Sequence, residues 1–368
     1  MSKTKIFFSD VAGTHYRTGI FTLLDKYYDI TWCFGKGNNS IPKIEDNLLN
    51  KVRRTDIVKL FSNWYWQRGI LKSLWKNYDY YILNGELYSL AVWAFIFLNK
   101  IFFRKKVYFW SHGWYGRESR LKKYLKSIYF SMPTGAFFYG NYARKIMQEE
   151  GLSVNNIYVV HNSLDYTKQL RLRKNSLSSN VLKEHFNNSN VNIIFIGRLT
   201  SSKKLDMIID AVASLKKDNL FFNVTFVGEG EAKDKLLKLA KSQKVPCWFY
   251  GACYDEETNA KLIASADICV SPGNVGLTAI HSMMFGTPVI THDRFPNQGP
   301  EFEAIKQDET GGFFKENDTD SLSSAIKNWI ISHKDRENIR QKCYAEIDSF
   351  WNPEYQLKII SDVIPFKM

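Results

Sequence analysis

Apolar and polar positions alternate along this chain in two successive sets of strand–helix units. In the first half, short apolar runs at 5–9, 30–34, 80–83, 107–110, 135–139 and 157–160 predict strands. Helical spacing fills much of the space between them, at 16–28 (Ile20, Leu23, Leu24, Tyr27), 56–76, 86–98, 117–130 and 141–150. Residues 35–46 are polar and contain glycine, so they read as a loop. A second series opens with the apolar run 191–196 and continues with strands at 224–227, 247–250, 267–270 and 289–290. The helices between these are 205–216, 232–241, 256–264 and 277–285, and three closing helices are predicted at 321–331, 334–350 and 354–364. Between the two series, 174–190 is rich in Ser, Asn and Lys with little apolar periodicity, which marks an interdomain stretch or an excursion at the start of the second domain. The pattern predicts an α/β chain of two Rossmann-like, doubly wound domains, 1–170 and 171–350. In that arrangement the carboxyl edges of the two sheets face one another across a cleft.

Composition adds a partner class. At 368 residues and 45% hydrophobic content, the chain can bury two cores. Its 50 Lys and Arg against 37 Asp and Glu give a net charge of +13, which favours an anionic partner. The basic residues are dispersed and no nucleic-acid motif is present, so no nucleic-acid partner is expected. The five cysteines are scattered without metal-ligand spacing, as expected of reduced thiols and no metal site. The N-terminus shows no apolar leader, so a cytoplasmic location is expected. The helix at 86–98 is the most apolar, but a bilayer span needs about 20 such residues. Lys100, Arg104, Lys105 and Lys106 then interrupt it, leaving a buried helix or an interfacial one. The helix at 117–130 sets Arg120, Lys122, Lys123 and Lys126 beside Leu121, Tyr124, Leu125 and Ile128. It reads as a solvated face or as a dock for the anionic inner face of the cytoplasmic membrane.

The candidate chemistry lies where strands end. In the first half these ends carry Gly13 and Arg17, then Ser111-His112-Gly113, then His161-Asn162. Arg17 reads either as a solvated helix charge or as a residue facing a ligand. In the second half they carry Gly197-Arg198-Leu199 with Lys203, then Gly228-Glu229-Gly230, then Tyr250-Gly251 and Tyr254. The turn Gly273-Asn274-Val275-Gly276 feeds Leu277-Thr278 and a helix that stops at Gly286-Thr287-Pro288. Arg198 and Lys203 share one strand–helix turn, so two cations and a row of backbone N–H groups can meet a diphosphate there.

These residues resemble those of the donor domain of GT-B glycosyltransferases, specifically glycosyltransferase family 4. Gly197-Arg198-Leu199 with Lys203, Gly228-Glu229-Gly230, Ser265-Ala266-Asp267 and Gly276-Leu277 through Ile290 carry the resemblance. It covers about 191–331 well and the first half loosely. The resemblance implies retaining, metal-independent transfer from a nucleotide sugar, UDP being favoured, with no cofactor. Arg198 and Lys203 would hold the diphosphate, residues 274–278 would contact phosphates and hexose, and 250–254 would lie near the base. His112 would lie near the reacting sugar, Gly13 would approach the phosphates, and the last helix, 351–368, would cross back onto the first domain. Arg17 and Asn162 are assigned to the acceptor side. One departure stands out. The family's Glu-x7-Glu pair falls on Gly273 and His281, where a neutral His281 can still bond ribose hydroxyls through a ring nitrogen.

The function expected is hexose transfer onto a growing, lipid-linked bacterial surface polysaccharide such as capsule, O-antigen or exopolysaccharide. A nucleotide-sugar epimerase on the same fold and a non-catalytic partner subunit remain as alternatives. An epimerase would need carboxylates to shuttle protons, and these motifs are poor in them.

Overall fold

A computed structural model describes residues 3–37, 42–152 and 156–367; part of the loop predicted at 35–46 lies outside them. The chain divides into two compact units, Met1–Asp165 with Asn352–Met368, and Tyr166–Trp351. The first unit contains β1 (Lys5–Asp10), α1 (Thr18–Tyr27), β2 (Asp29–Gly35), β3 (Val52–Thr55), β4 (Ile57–Phe61), β5 (Trp64–Gln67), β6 (Tyr80–Asn84) and α2 (Leu90–Leu98). It continues with β7 (Lys106–Ser111), α3 (Arg120–Phe130), β8 (Gly135–Phe138), α4 (Asn141–Glu149) and β9 (Ile157–Val159). Seven strands pair in parallel in the order β3-β2-β1-β6-β7-β8-β9. Successive side chains enter opposite cores. Phe7, Tyr81 and Phe109 pack with Phe95 of α2 and Tyr129 of α3, whereas Phe8, Ile82 and Trp110 pack with Phe21 of α1. Burial on both faces is why these strands read as continuous apolar runs.

The second unit runs α5 (Tyr166–Ser176), α6 (Val181–Phe186), β10 (Val191–Ile196), α7 (Asp206–Leu215), β11 (Phe222–Val227), α8 (Lys233–Ser242), β12 (Cys247–Gly251), α9 (Glu256–Ser265), β13 (Ile268–Ser271) and α10 (Thr278–Met284). β14 (Val289–His292), β15 (Gly311–Phe314), α11 (Thr319–Ser332) and α12 (Arg336–Phe350) complete it. Its six-stranded parallel sheet has the order β12-β11-β10-β13-β14-β15. The final helix, α13 (Pro353–Val363), belongs to the first unit, where it packs on α1. There Gln356 donates to the His161 carbonyl at 3.0 Å and Tyr28 donates to the Ile364 carbonyl at 2.7 Å.

β3 and β15 fall where the sequence reading placed no element, and two further stretches depart from it. Residues 56–76 form no α-helix: β4 and β5 make an antiparallel hairpin, with Ser62 in the left-handed region at its turn, and Leu71–Trp75 is a short 3-10 helix. Ile57, Val58, Phe61, Trp64 and Tyr65 are strand formers, and their aromatic spacing also satisfied a helical period. The second departure is at 174–190, which lies at the start of the second unit and is not irregular: it holds the end of α5 and all of α6. Polar bonds hold α5, which explains its missing apolar stripe. Arg173 donates to the Met284 carbonyl at 2.8 Å and pairs with Asp348 at 2.8 Å.

Lys126 also lies off the solvated face assigned to its helix. Its ammonium is buried, donating to Glu118 Oε1 and to the Gly113 carbonyl, both at 2.7 Å. That pair anchors the loop carrying His112. Removing the carboxylate strands a buried cation, so Glu118→Ala should cost about 3–5 kcal/mol of unfolding free energy. A chemical denaturation midpoint within error of wild type would contradict this.

Candidate functional site

In the second unit the loops after β10 and β11 are zipped together. Gly197 N–H donates to the Val227 carbonyl and Leu199 N–H to the Glu229 carbonyl, both at 2.9 Å. Arg198 stands exposed on this ledge. The following turn, Ser201–Lys203, carries Lys203, whose ammonium donates to the carbonyl (2.6 Å) and side-chain oxygen (2.7 Å) of Asn274. Burial pushes the Lys203 ammonium below its ordinary range, and the Arg198 charge adds to this, while Glu301 opposes it. Thr278, at the start of α10, donates to the Ile196 carbonyl at 3.1 Å. Arg198, Lys203 and the 273–278 turn are therefore one local construction.

The departure at residue 273 has a steric cause. A Cβ on Gly273 would lie 2.4 Å from the Ser202 carbonyl oxygen and 2.7 Å from the Lys203 Cα. Gly273 N–H meanwhile donates to the Lys203 carbonyl at 3.0 Å. With this backbone, no carboxylate fits at 273. The turn is braced from its other side by Gln298, which accepts from Val275 N–H at 2.8 Å and donates to Thr291 and to the His292 carbonyl, both at 2.9 Å.

His281 lies elsewhere, one turn into α10. Its Nε2 faces Glu256 Oε1 at 2.8 Å, and Gln169 of α5 donates to that same oxygen at 2.7 Å. Burial alone would raise the Glu256 carboxyl, but the His281 bond and charge and the Gln169 bond bring it below the usual carboxylate range. An ionised Glu256 accepts from His281 Nε2 and so fixes the ring on α10. A carboxylate thus does stand beside position 281, contributed by α9. Of the remaining residues singled out in the sequence, Glu229 pairs with Lys233 at 2.7 Å. Gly228 N–H donates to the Gly251 carbonyl, and Tyr250 and Tyr254 are exposed, the latter 91%.

In the first unit, β1, β6, β7 and β8 end around a cavity of about 370 Å³ lined by Asp10, Arg17, Glu86, Trp110, His112 and Tyr139. Arg17 is not a solvated charge. It pairs with Asp10 at 2.7 Å and donates to the Tyr139 hydroxyl. Asp10 also accepts from Gly13 N–H at 2.8 Å. Burial holds the His112 imidazole neutral, pushing it down to about 4, with the Arg17 and Lys126 charges acting in the same direction. Burial raises the Glu86 carboxyl, although the Lys126 charge opposes this. His112 Nδ1, Trp110 Nε1 and Thr14 Oγ1 are buried polar atoms without a hydrogen-bond partner. Such atoms are costly unless a bound molecule satisfies them. Asn162 is buried in this unit near α13, beside His161, whose carbonyl accepts from Gln356. Among the described residues no group of three or more His, Cys, Asp or Glu side chains could hold a metal ion.

Sequence reasoning missed Asp10, Glu86, Glu256, Gln298 and Glu301. Asp10 and Glu86 were within its reach, because both follow predicted strands. The other three act through contacts to distant segments, for which no local motif exists.

Residues 180–346 match the family Glycosyl transferases group 1. A Mycobacterium tuberculosis protein, a GDP-mannose-dependent alpha-(1-6)-phosphatidylinositol dimannoside mannosyltransferase, is 29% identical over 154 residues, 41% of this chain and 38% of its own length. An uncharacterized 41.2 kDa protein in the cps region of Klebsiella pneumoniae is 28% identical over 157 residues, 41% of this chain and 40% of its own. The chain thus matches about two-fifths of the length of these curated relatives. Among solved structures, Anabaena HepE in complex with UDP superposes with a TM-score of 0.73 at 15% identity, covering 98% of this chain and 100% of that one.

The buried imidazole has a measurable signature. His112 titrates near 6.5 when unfolded and about 4 when folded, so its contribution to stability is complete above pH 6.5 and declines as pH falls toward 4. The stability of wild type relative to His112→Gln, read from thermal midpoints, should be constant above pH 7 and shrink between pH 6.5 and 4.5. A difference independent of pH would refute the buried neutral state.

Proposed function

Because the chain belongs, through residues 180–346 of its second unit, to the group 1 glycosyltransferases and has the GT-B fold, we propose that it transfers a hexose from a nucleoside diphosphate sugar with retention of configuration. The observation that carries this reading is the pairing of Arg198 with a Lys203 held on Asn274, next to the backbone of the 273–278 turn. In the reaction the C1–O bond to the diphosphate breaks and a bond from the acceptor oxygen to C1 forms. The acceptor proton leaves with the departing phosphate. Arg198 and Lys203 stabilise the negative charge that develops on that leaving group, and they act more strongly because their positions are set beforehand. Two fixed cations also perform the neutralisation that a divalent ion performs elsewhere, which supports a metal-independent reaction. UDP is the favoured nucleotide, in keeping with the UDP complex of HepE.

The first unit is assigned to the acceptor and to the reacting hexose. A neutral His112, the Trp110 and Thr14 donors, and the Asp10–Arg17–Tyr139 network suit a hydroxyl-rich, uncharged molecule. A lipid-linked surface glycan is the proposed acceptor. Phe102 (70% exposed), Leu121 (69%) and Tyr124 (65%) are large exposed apolar side chains on segments that also carry Lys100, Arg104, Arg120 and Lys122. No helix among the described residues is long and apolar enough to cross a membrane. Peripheral docking on an anionic bilayer is the mode this surface suits.

Two experiments follow. UDP or GDP should raise the thermal midpoint, and Arg198→Ala or Lys203→Ala should weaken nucleotide affinity about 10- to 100-fold, the range for hydrogen bonds to charged groups. Turnover should survive EDTA. No response to either nucleotide, or conversion of the donor to its epimer without acceptor, would refute the transferase reading. Separately, the protein should co-sediment with vesicles containing anionic phospholipid, and Phe102→Ser with Leu121→Ser should abolish this while leaving nucleotide binding unchanged. Equal sedimentation of that variant would refute the docking surface.

A further inference from the structure

One carboxylate of the first-unit cavity takes no part in the network built on Asp10. Glu86 follows β6, and the backbone sets its place. Gly85 N–H donates to the Trp110 carbonyl and Ser111 Oγ donates to the Gly85 carbonyl, both at 3.1 Å. A Cβ on Gly85 would lie 2.6 Å from the Ser111 Cβ. The end of β6 thus rests on the end of β7, which brings Glu86 to the cavity that His112 also lines. The Glu86 carbonyl accepts from the Tyr129 hydroxyl at 3.2 Å and from Ser89 N–H at 3.1 Å. Its carboxylate has no hydrogen bond or ion pair among the described residues. The residue is exposed where it lines the cavity, yet the walls crowd its carboxyl. Burial raises it and the Asp10 charge adds to this, while the Lys126, Lys122 and Arg17 charges act from a distance in the other direction.

Holding a carboxylate in such a place without a direct partner costs free energy. The fold does not need it, because the bonds that fix residue 86 go to its carbonyl, which any residue supplies. The neighbouring carboxylates are engaged, Asp10 with Arg17 and Glu118 with Lys126, and burial keeps His112 neutral. Glu86 therefore gives the cavity a negative charge that no neighbour takes up at hydrogen-bond range. An ionised carboxylate accepts hydrogen bonds and donates none, so it suits hydroxyl hydrogens. It opposes a second anion at short range. Trp110 and Tyr139 line the same space, and aromatic walls with a few polar groups are usual for a small-molecule site.

We propose that Glu86 is an acceptor-contacting, specificity-determining residue: its carboxylate accepts a hydroxyl hydrogen of the acceptor's sugar beside His112, so the cavity takes an uncharged saccharide residue and rejects a phosphorylated one. This rests on the transferase reading above and narrows its acceptor. Glu86 takes no proton in the reaction; the acceptor proton still leaves with the departing phosphate. The net charge of +13 draws anions to the protein as a whole, so rejection of phosphate in this cavity is a local property that Glu86 supplies.

The test is saturation-transfer NMR with octyl glycosides of glucose, galactose, mannose and N-acetylglucosamine, kept below their critical micelle concentrations, and with the 6-phosphates of the same glycosides. Each is titrated with UDP or GDP present into wild type, Glu86→Gln and Glu86→Ala. At least one uncharged glycoside should bind wild type, and its 6-phosphate should bind at least tenfold more weakly. Glu86→Ala should weaken the uncharged glycoside at least tenfold, the lower end for a hydrogen bond to a charged group. Glu86→Gln keeps one acceptor oxygen and no charge, so it should lose less affinity and reject the phosphate less. Nucleotide affinity should stay within about twofold, and both variants should melt at or above the wild-type temperature, because a crowded, unpaired charge has been removed. A lowered melting temperature would mean a structural role and overturn the assignment. So would a loss of nucleotide affinity as large as the loss for the glycoside, equal binding of plain and phosphorylated glycosides, or unchanged glycoside affinity in Glu86→Ala. A wild type that binds nucleotide but none of the glycosides would overturn the assignment of Glu86 alone. A wild type that binds neither UDP nor GDP would overturn the transferase reading as well.

Discussion

The contact of the Gly273 backbone with Ser202 and Lys203 is the constraint on which the arrangement of Arg198, Lys203 and the 273–278 turn depends. It brings the turn after β13 against the turn after β10 at a distance that only a glycine permits. Two strand-end loops thereby become one rigid ledge, with Gly273 N–H on the Lys203 carbonyl and the Lys203 ammonium on Asn274. The lysine is thus oriented before any ligand arrives, and less rotamer entropy is lost on binding. The same contact excludes a side chain at 273.

The surrounding residues are consistent with that exclusion. Glu256 stands beside His281 from a neighbouring helix. The first unit has a different electrostatic character. There a buried, neutral imidazole, a carboxyl raised by burial and an arginine bonded to Asp10 and Tyr139 line a cavity with unsatisfied polar atoms. The second unit offers fixed cations suited to phosphate, and the first offers neutral polar groups suited to hydroxyls.

Much of this was legible from the chain. Strands buried on both faces, such as β10 and β11, announce themselves as apolar runs, and Gly-rich strand ends mark the ledge. Arg198 and Lys203 could be placed because their turn is local. The hairpin of β4 and β5 was not legible, because Trp64, Trp66 and Trp75 fit more than one period. α5 escaped because hydrogen bonds and an ion pair, rather than an apolar stripe, fix it. β15, with its paired glycines Gly311 and Gly312, lacks the branched residues that signal a strand. The sequence showed that position 273 is a glycine; only the packing of Ser202 against it explains why. Glu256 and Glu301 were invisible for the same reason: each matters through a partner in a different segment.

A crystal structure of the protein with UDP bound would show directly whether the ledge of Arg198, Lys203 and the 273–278 turn holds the diphosphate. The diphosphate should lie within hydrogen-bond distance of both Arg198 and Lys203, with the Gly273 backbone still seated on the Ser202–Lys203 turn. A nucleotide bound away from those two cations, or a turn that separates from Lys203 to admit it, would contradict that arrangement.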